Sequence, residues 1–142
     1  MDSGEVCYFL YRDGTEDHRW YKTSNGKYDT KLVILVNGMS ASSSEILTGA
    51  LRECADATVV GTTTFGKGII QAVNEVGTEG AAFQMTIAEY LSPKGNKVHE
   101  IGITPDVIVE PAEDDTGSYD FADTTNDLQL KKALEVMEEK LK

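Results

Sequence analysis

The sequence predicts an α/β domain with a mixed β-sheet core and packed helices. Three observations carry this. Apolar and β-branched runs of strand length recur along the chain, two segments instead repeat apolar residues at helical spacing, and Gly- or Asn-containing turn signals separate them. The chain has 142 residues, enough for one domain with a sizeable core.

Residues 5–12 are rich in aromatic and β-forming side chains, Asp13-Gly14 is a turn signal, and His18-Arg19-Trp20-Tyr21-Lys22 resumes the pattern, so a β-hairpin is expected. Asn25-Gly26 marks another turn. The continuous apolar run Leu32-Val33-Ile34-Leu35-Val36 suits a strand covered on both faces. A serine-rich turn then leads into a helix that places Ile46, Leu47, Ala50, Leu51 and Cys54 on one face, with Glu45, Thr48, Arg52 and Glu53 directed elsewhere. Ala57-Thr58-Val59-Val60 is a short strand ending at Gly61, and a Gly-rich turn runs to Gly68. Residues 69–76 and 82–91 read as two further strands joined through Gly77 and Gly80, and Val107-Ile108-Val109 as a last one, closed by Pro111. Residues 112–125 carry five acidic side chains and no basic one, the composition of a solvated linker. Leu130, Ala133, Leu134, Met137 and Leu141 return to helical spacing, with Thr125 or Asn126 as the cap. No internal repeat is present.

Composition excludes several functions. A formal net charge of −11 argues against nucleic acid, which needs a basic patch. No apolar run approaches the roughly 18 residues of a membrane-spanning helix. Met1-Asp2-Ser3-Gly4-Glu5 is acidic and polar where a signal peptide has a basic region, so the sequence reads either as cytosolic or as beginning partway through a longer chain. Cys7 and Cys54 read as buried free thiols without metal-ligand spacing; a disulfide between them is not implied. His18 and His99 stand alone in polar contexts and read as surface residues.

Two stretches carry possible chemistry. Residues 37–46 join a buried strand to a helix, and a hydroxyl there lies near unpaired helix N–H groups that can hold a developing oxyanion. Ser42-Ser43-Ser44-Glu45 also matches the capping box, and for Ser42 taken alone capping is the simpler reading. The second stretch, Gly61-Thr62-Thr63-Thr64-Phe65-Gly66-Lys67-Gly68, nearly spells a phosphate-binding loop. Gly68 stands where that loop needs Ser or Thr, however, and Ile69-Ile70-Gln71-Ala72-Val73 reads as a strand where it needs a helix. A lysine between two glycines can instead be a base, since burial disfavours its charged form and a neutral amine can take a serine proton. Alone, Lys67 would be a surface lysine in a turn.

Taken together, N-x-x-S-A-S-x-S-E-I, the 25 residues from Ser42 to Lys67, and F-G-K-G-x-x-Q resemble the C-terminal processing peptidases, or tail-specific proteases. Tyr90-Leu91-Ser92-Pro93-Lys94-Gly95, Gly102-Ile103-Thr104-Pro105-Asp106 and Asp127-Leu128-Gln129-Leu130-Lys131-Lys132-Ala133-Leu134 resemble further signatures of that family, in the family's order. The resemblance implies a sheet core of crotonase or Clp-protease type, truncated at its N-terminus. Residues 1–111 would be the C-terminal part of a catalytic domain, 112–125 an acidic linker and 126–142 a closing helix of the same domain. It implies Ser42 as nucleophile, Lys67 as general base, Gln71 as the group orienting the lysine and the Ser43 N–H as an oxyanion donor. Ser43 replaces a commoner alanine. No metal or cofactor is implied. The implied substrate is a protein or peptide cut near its C-terminus. A peptide-binding PDZ module and a second oxyanion segment are expected upstream in the parent, and an extracytoplasmic location for it. The chain alone is then expected to fold at least partly, to cleave poorly, and to self-associate through uncovered apolar surface. The rival reading is a catalytically silent peptide-binding or scaffold domain of the same fold.

Overall fold

The computed structural model describes residues 3–22, 30–77, 80–111 and 127–142. The Asn25-Gly26 turn, the acidic linker and the candidate caps Thr125 and Asn126 lie outside the described residues. Among the described residues, seven strands and two helices follow in the order β1 (Ser3–Tyr11), β2 (Glu16–Lys22), β3 (Val33–Val36), α1 (Ser43–Cys54), β4 (Thr58–Gly61), β5 (Ile69–Val76), β6 (Ala81–Leu91), β7 (Val107–Ile108) and α2 (Leu128–Lys140). The mixed pairing expected of the core is present, with parallel and antiparallel strands sorted into two sheets. One is antiparallel, ordered β2-β1-β6-β5; the other is parallel, ordered β3-β4-β7.

Local sequence explains the antiparallel sheet. Asp13 accepts the Thr15 N–H at 2.9 Å and Gly14 takes a positive φ of 85°, which closes the β1–β2 turn. His18 hydrogen-bonds Glu5 and Glu16 and stacks on Tyr8 with ring centroids 5.0 Å apart. The hydrogen bond to Glu5, then that to Glu16, outweigh desolvation and push the His18 pKa above its usual value. Protonated His18 therefore favours the folded hairpin. That contribution is full below the ordinary histidine pKa and fades as pH rises through the raised one. Hydrogen exchange in β1 and β2 is expected to be slower near pH 6 than near pH 8 relative to a His18→Gln variant; equal protection at both values would show that the pair holds nothing.

The parallel sheet forms because β3-α1-β4 is a crossover unit. Val33, Ile34, Leu35 and Val36 of β3 pair with Thr58, Val59, Val60 and Gly61 of β4. Gly61 is obligatory: its φ is 132°, and a Cβ there would lie 1.9 Å from the Val36 carbonyl oxygen. Asp106 registers β7, accepting the Val59 N–H at 2.8 Å and the Arg52 guanidinium at 2.5 Å. Helix α1 packs against β1 and β4, and α2 against β3 and β4. The cap of α2 is Asp127 rather than the expected Thr125 or Asn126, and it accepts the Leu130 N–H at 2.8 Å. Gln129 ties the helix start to the Val109 carbonyl at 2.8 Å, and Lys140 ties its end to the Asp56 carbonyl at 2.8 Å.

Several burial expectations are corrected. Leu35 is 43% exposed, so β3 is not covered on both faces among the described residues. In α1 the buried positions are Glu45, Thr48, Gly49 and Ala50, while Leu47 is exposed. A polar stripe can face inward because its groups find partners there: Glu45 is fully hydrogen-bonded, and Thr48 donates to the Ser44 carbonyl at 2.7 Å. Cys7 is buried but Cys54 is exposed, on the last turn of α1; both are free. Val73, Val76, Phe83 and Met85 of the β5–β6 hairpin are exposed.

Candidate active site

Adjacent parallel strands have their carboxyl ends on the same edge of a sheet, and α/β sheets place their sites in the crevice beyond that edge. The segment after β3 carries Ser42 and the segment after β4 carries Lys67, so the topology closes the 25-residue separation. The two segments are joined directly, since the Phe65 N–H donates to the Ser40 carbonyl at 2.9 Å.

Ser42 sits at the turn into α1 with φ 57° and ψ −118°. A non-glycine residue in that conformation is strained, as is the serine of a strand–turn–helix nucleophile elbow. Ser43 opens the helix, and its N–H makes no hydrogen bond among the described residues. That leaves a backbone donor free beside the Ser42 side chain.

Glu45 holds the arrangement together. Its side chain is fully buried. One oxygen, Oε2, accepts the backbone N–H of Ser42 at 2.9 Å and that of Lys67 at 2.9 Å. The two amide nitrogens therefore lie within twice that distance of each other. The other oxygen, Oε1, accepts the Thr64 hydroxyl at 2.6 Å and the Gly66 N–H at 2.7 Å. The reach from Glu45 back to the Ser42 amide is the capping box read from the sequence. Its reach across to the lysine loop was not legible there.

The lysine loop is fixed from its other side by residues 98–103. Ile103 N–H donates to Thr64 Oγ1 at 2.7 Å, and Glu100 N–H donates to the Gly66 carbonyl at 2.9 Å. A Cβ at Gly68 would lie 2.3 Å from the His99 nitrogen, so only glycine allows this approach. His99 is thus not a free surface residue; it is half-buried, and its Nδ1 is buried with no hydrogen-bond partner among the described residues. The loop alternates in burial: Thr64, Gly66 and Gly68 face in, while Phe65 and Lys67 are exposed. The burial expected to favour a neutral Lys67 amine is not supplied by the described residues. Gly68 leads into β5 rather than a helix, so the phosphate-loop reading lacks its helix N-terminus.

No hydrogen bond links the Lys67 amine to Ser42 Oγ or to Gln71 among the described residues. Gln71 lies on β5, where its Oε1 accepts the Gln84 amide at 2.9 Å. Four residues along a strand span about 13 Å, so Gln71 meets Lys67 only if the long side chains lie along the strand. The structure adds two residues that the sequence reading named only as motif letters. Thr64 links Glu45 to Ile103. Tyr90, 1% exposed, places its hydroxyl 3.2 Å from the Ser42 carbonyl and 3.3 Å from Glu45 Oε2. Burial, then the Glu45 charge, pushes the Tyr90 pKa well above its usual value, so the hydroxyl keeps its proton and donates.

Comparison with known proteins identifies the family. The sequence profile of peptidase family S41 matches residues 1–109. A carboxyl-terminal-processing protease of Synechocystis sp. is 40% identical over 141 residues, covering 96% of this chain and 31% of that protein. A carboxy-terminal-processing protease of Bartonella bacilliformis is 39% identical over 122 residues, covering 84% of this chain and 28% of that protein. The chain therefore spans about a third or less of these relatives' lengths. Among solved structures, a photosystem II D1 C-terminal processing protease superposes with a TM-score of 0.69 at 35% identity, over 78% of this chain and 28% of that one. A putative peptidase from Parabacteroides merdae gives 0.69 at 19% identity, over 96% of this chain and 43% of that one, a likeness of fold alone. With more than half of its length matched by the profile, this chain belongs to peptidase family S41.

Proposed function

We propose that this chain supplies the serine and lysine of a serine-type endopeptidase that cuts proteins near their C-termini. The observation that carries this is the shared carboxylate: Glu45 Oε2 holds the Ser42 and Lys67 amides at the same 2.9 Å, beside a Ser43 N–H that has no partner among the described residues. The names of the relatives, carboxyl-terminal-processing proteases, supply the substrate class. Ser42 Oγ attacks the scissile carbonyl while the Lys67 amine takes its proton and then passes it to the leaving amine. Water releases the acyl group by the reverse use of the same base. The Ser43 N–H stabilises the tetrahedral oxyanion, with a second donor supplied from outside this chain. Gln71 orients the Lys67 amine once substrate displaces its contact with Gln84. A PDZ module that presents the substrate, an extracytoplasmic site of action and self-association through the exposed β5–β6 side chains belong to the same proposal.

The test uses the complete protein. A fluorophosphonate probe is expected to label wild-type protein at Ser42 and to leave Ser42→Ala unlabelled, with cleavage of an unstructured protein lost in parallel. Labelling at another serine, or cleavage that survives Ser42→Ala, would refute the assignment. Peptide binding without labelling or cleavage would identify a silent scaffold of the same fold.

A further inference from the structure

Tyr90 touches both arms of the site. Its backbone N–H donates to the Gly68 carbonyl at 3.0 Å, immediately after Lys67. Its hydroxyl points the other way, at the Ser42 carbonyl, 3.2 Å distant, and shares its proton with Glu45 Oε2 at 3.3 Å. The ring is anchored in the core with Val98 and Ile103, against Phe9, Ile46 and Ile70. A hydroxyl on so fixed a ring is a fixed point.

The Ser42 carbonyl is not an arbitrary acceptor. It belongs to the same peptide unit as the Ser43 N–H, and a peptide unit is planar and trans. Whatever fixes the direction of the carbonyl fixes the N–H, which points the opposite way. The helix also holds this oxygen, through the Glu45 and Ile46 N–H groups at 2.9 and 3.0 Å. Those donors lie on α1 itself and would move with it; Tyr90 references the peptide plane to β6 and the core.

We propose that Tyr90 is a positioning residue whose hydroxyl, by gripping the Ser42 carbonyl, aims the Ser43 N–H at the oxyanion. The inference rests on the Ser42 reading above. It makes a distinction that a merely structural tyrosine would not. An aimed donor acts on the transition state, so losing the aim lowers kcat and leaves substrate binding alone.

The experiment compares Tyr90→Phe with wild type and Ser42→Ala in the complete protein. Phenylalanine keeps the ring and removes only the hydroxyl. Losing an oxyanion donor outright costs about 10²–10³ in rate; misaiming one is expected to cost roughly tenfold in kcat, with KM and Tm near wild type. Affinity for a peptide boronate, which mimics the tetrahedral state, is expected to fall by a similar factor, while affinity for a product peptide holds. Wild-type kcat in Tyr90→Phe, with Ser42→Ala inactive, overturns this inference and leaves the Ser42 reading intact. A Tm that collapses, or product-peptide affinity that falls with boronate affinity, assigns the hydroxyl to the fold and also overturns it. Cleavage surviving in Ser42→Ala overturns the underlying reading instead.

Discussion

Lys67→Arg in the complete protein is expected to abolish peptide cleavage, by about 10³-fold or more, while leaving the fold untouched. Removing one member of a nucleophile–base unit costs several orders in kcat. Arginine keeps the positive charge, the length and the backbone N–H that Glu45 accepts at 2.9 Å. It changes one property: a guanidinium does not give up its proton, so it cannot take one from Ser42. The Lys67 side chain is exposed and unpaired among the described residues, so stability should stay within about 0.5 kcal/mol. Turnover assays beside thermal melting separate the two effects. Near-wild-type turnover by the arginine variant would remove Lys67 as base. Unchanged melting with no turnover is the expected pattern.

Glu45 substitutions should cost both stability and activity. Read from the capping box alone, Glu45→Gln is expected to leave the chemistry mostly intact, because an amide can still reach the helix start. The structure changes that expectation. Both oxygens accept backbone N–H groups, from Ser42 and Lys67 on one side and Gly66 on the other. An amide nitrogen cannot accept, so whichever way the glutamine lies, at least one buried or part-buried backbone donor loses its partner. Each such loss costs about 1–3 kcal/mol. Glu45→Ala orphans the whole set and leaves a void as well, so a loss of at least ~3 kcal/mol is expected. The serine and lysine loops would then separate, and turnover should fall further than stability alone explains. Urea melts and kcat for the two variants, measured where both remain folded, check this. A folded Glu45→Gln protein with wild-type kcat would show that the bridge between the loops is dispensable.

The two positions also show where sequence reading reached and where it stopped. Ser42, Ser43, Lys67 and Gln71 could be proposed from the sequence because their neighbours are constrained over short spans: a strand, a serine turn, a helix, a lysine between glycines. The Asp127 helix and the hairpins were legible for the same reason, since caps and turns are local chemistry. Glu45 was legible only as a cap. Its second role needs Gly66 and Lys67 brought to it, and no local pattern encodes contacts across some twenty residues. The inward-facing polar stripe of α1 was misread on the same ground. Periodicity assumes that apolar residues face the core, and Glu45 and Thr48 violate it because partners there satisfy them.

By itself, then, the sequence determined the α/β class, the approximate extent of most elements and the family, and it singled out the serine and lysine that are proposed here as nucleophile and base. These follow from local propensity, turn chemistry and motif spacing, which are properties of contiguous residues. Tertiary structure alone decided that β3 and β4 lie parallel with their carboxyl ends together, and that Glu45 joins the two loops opening there. It also turned Lys67 outward and paired Gln71 with Gln84. Those outcomes depend on which strands pair and which buried polar groups find donors. Long-range contacts of this kind are selected by the energy of the whole fold rather than by any one segment.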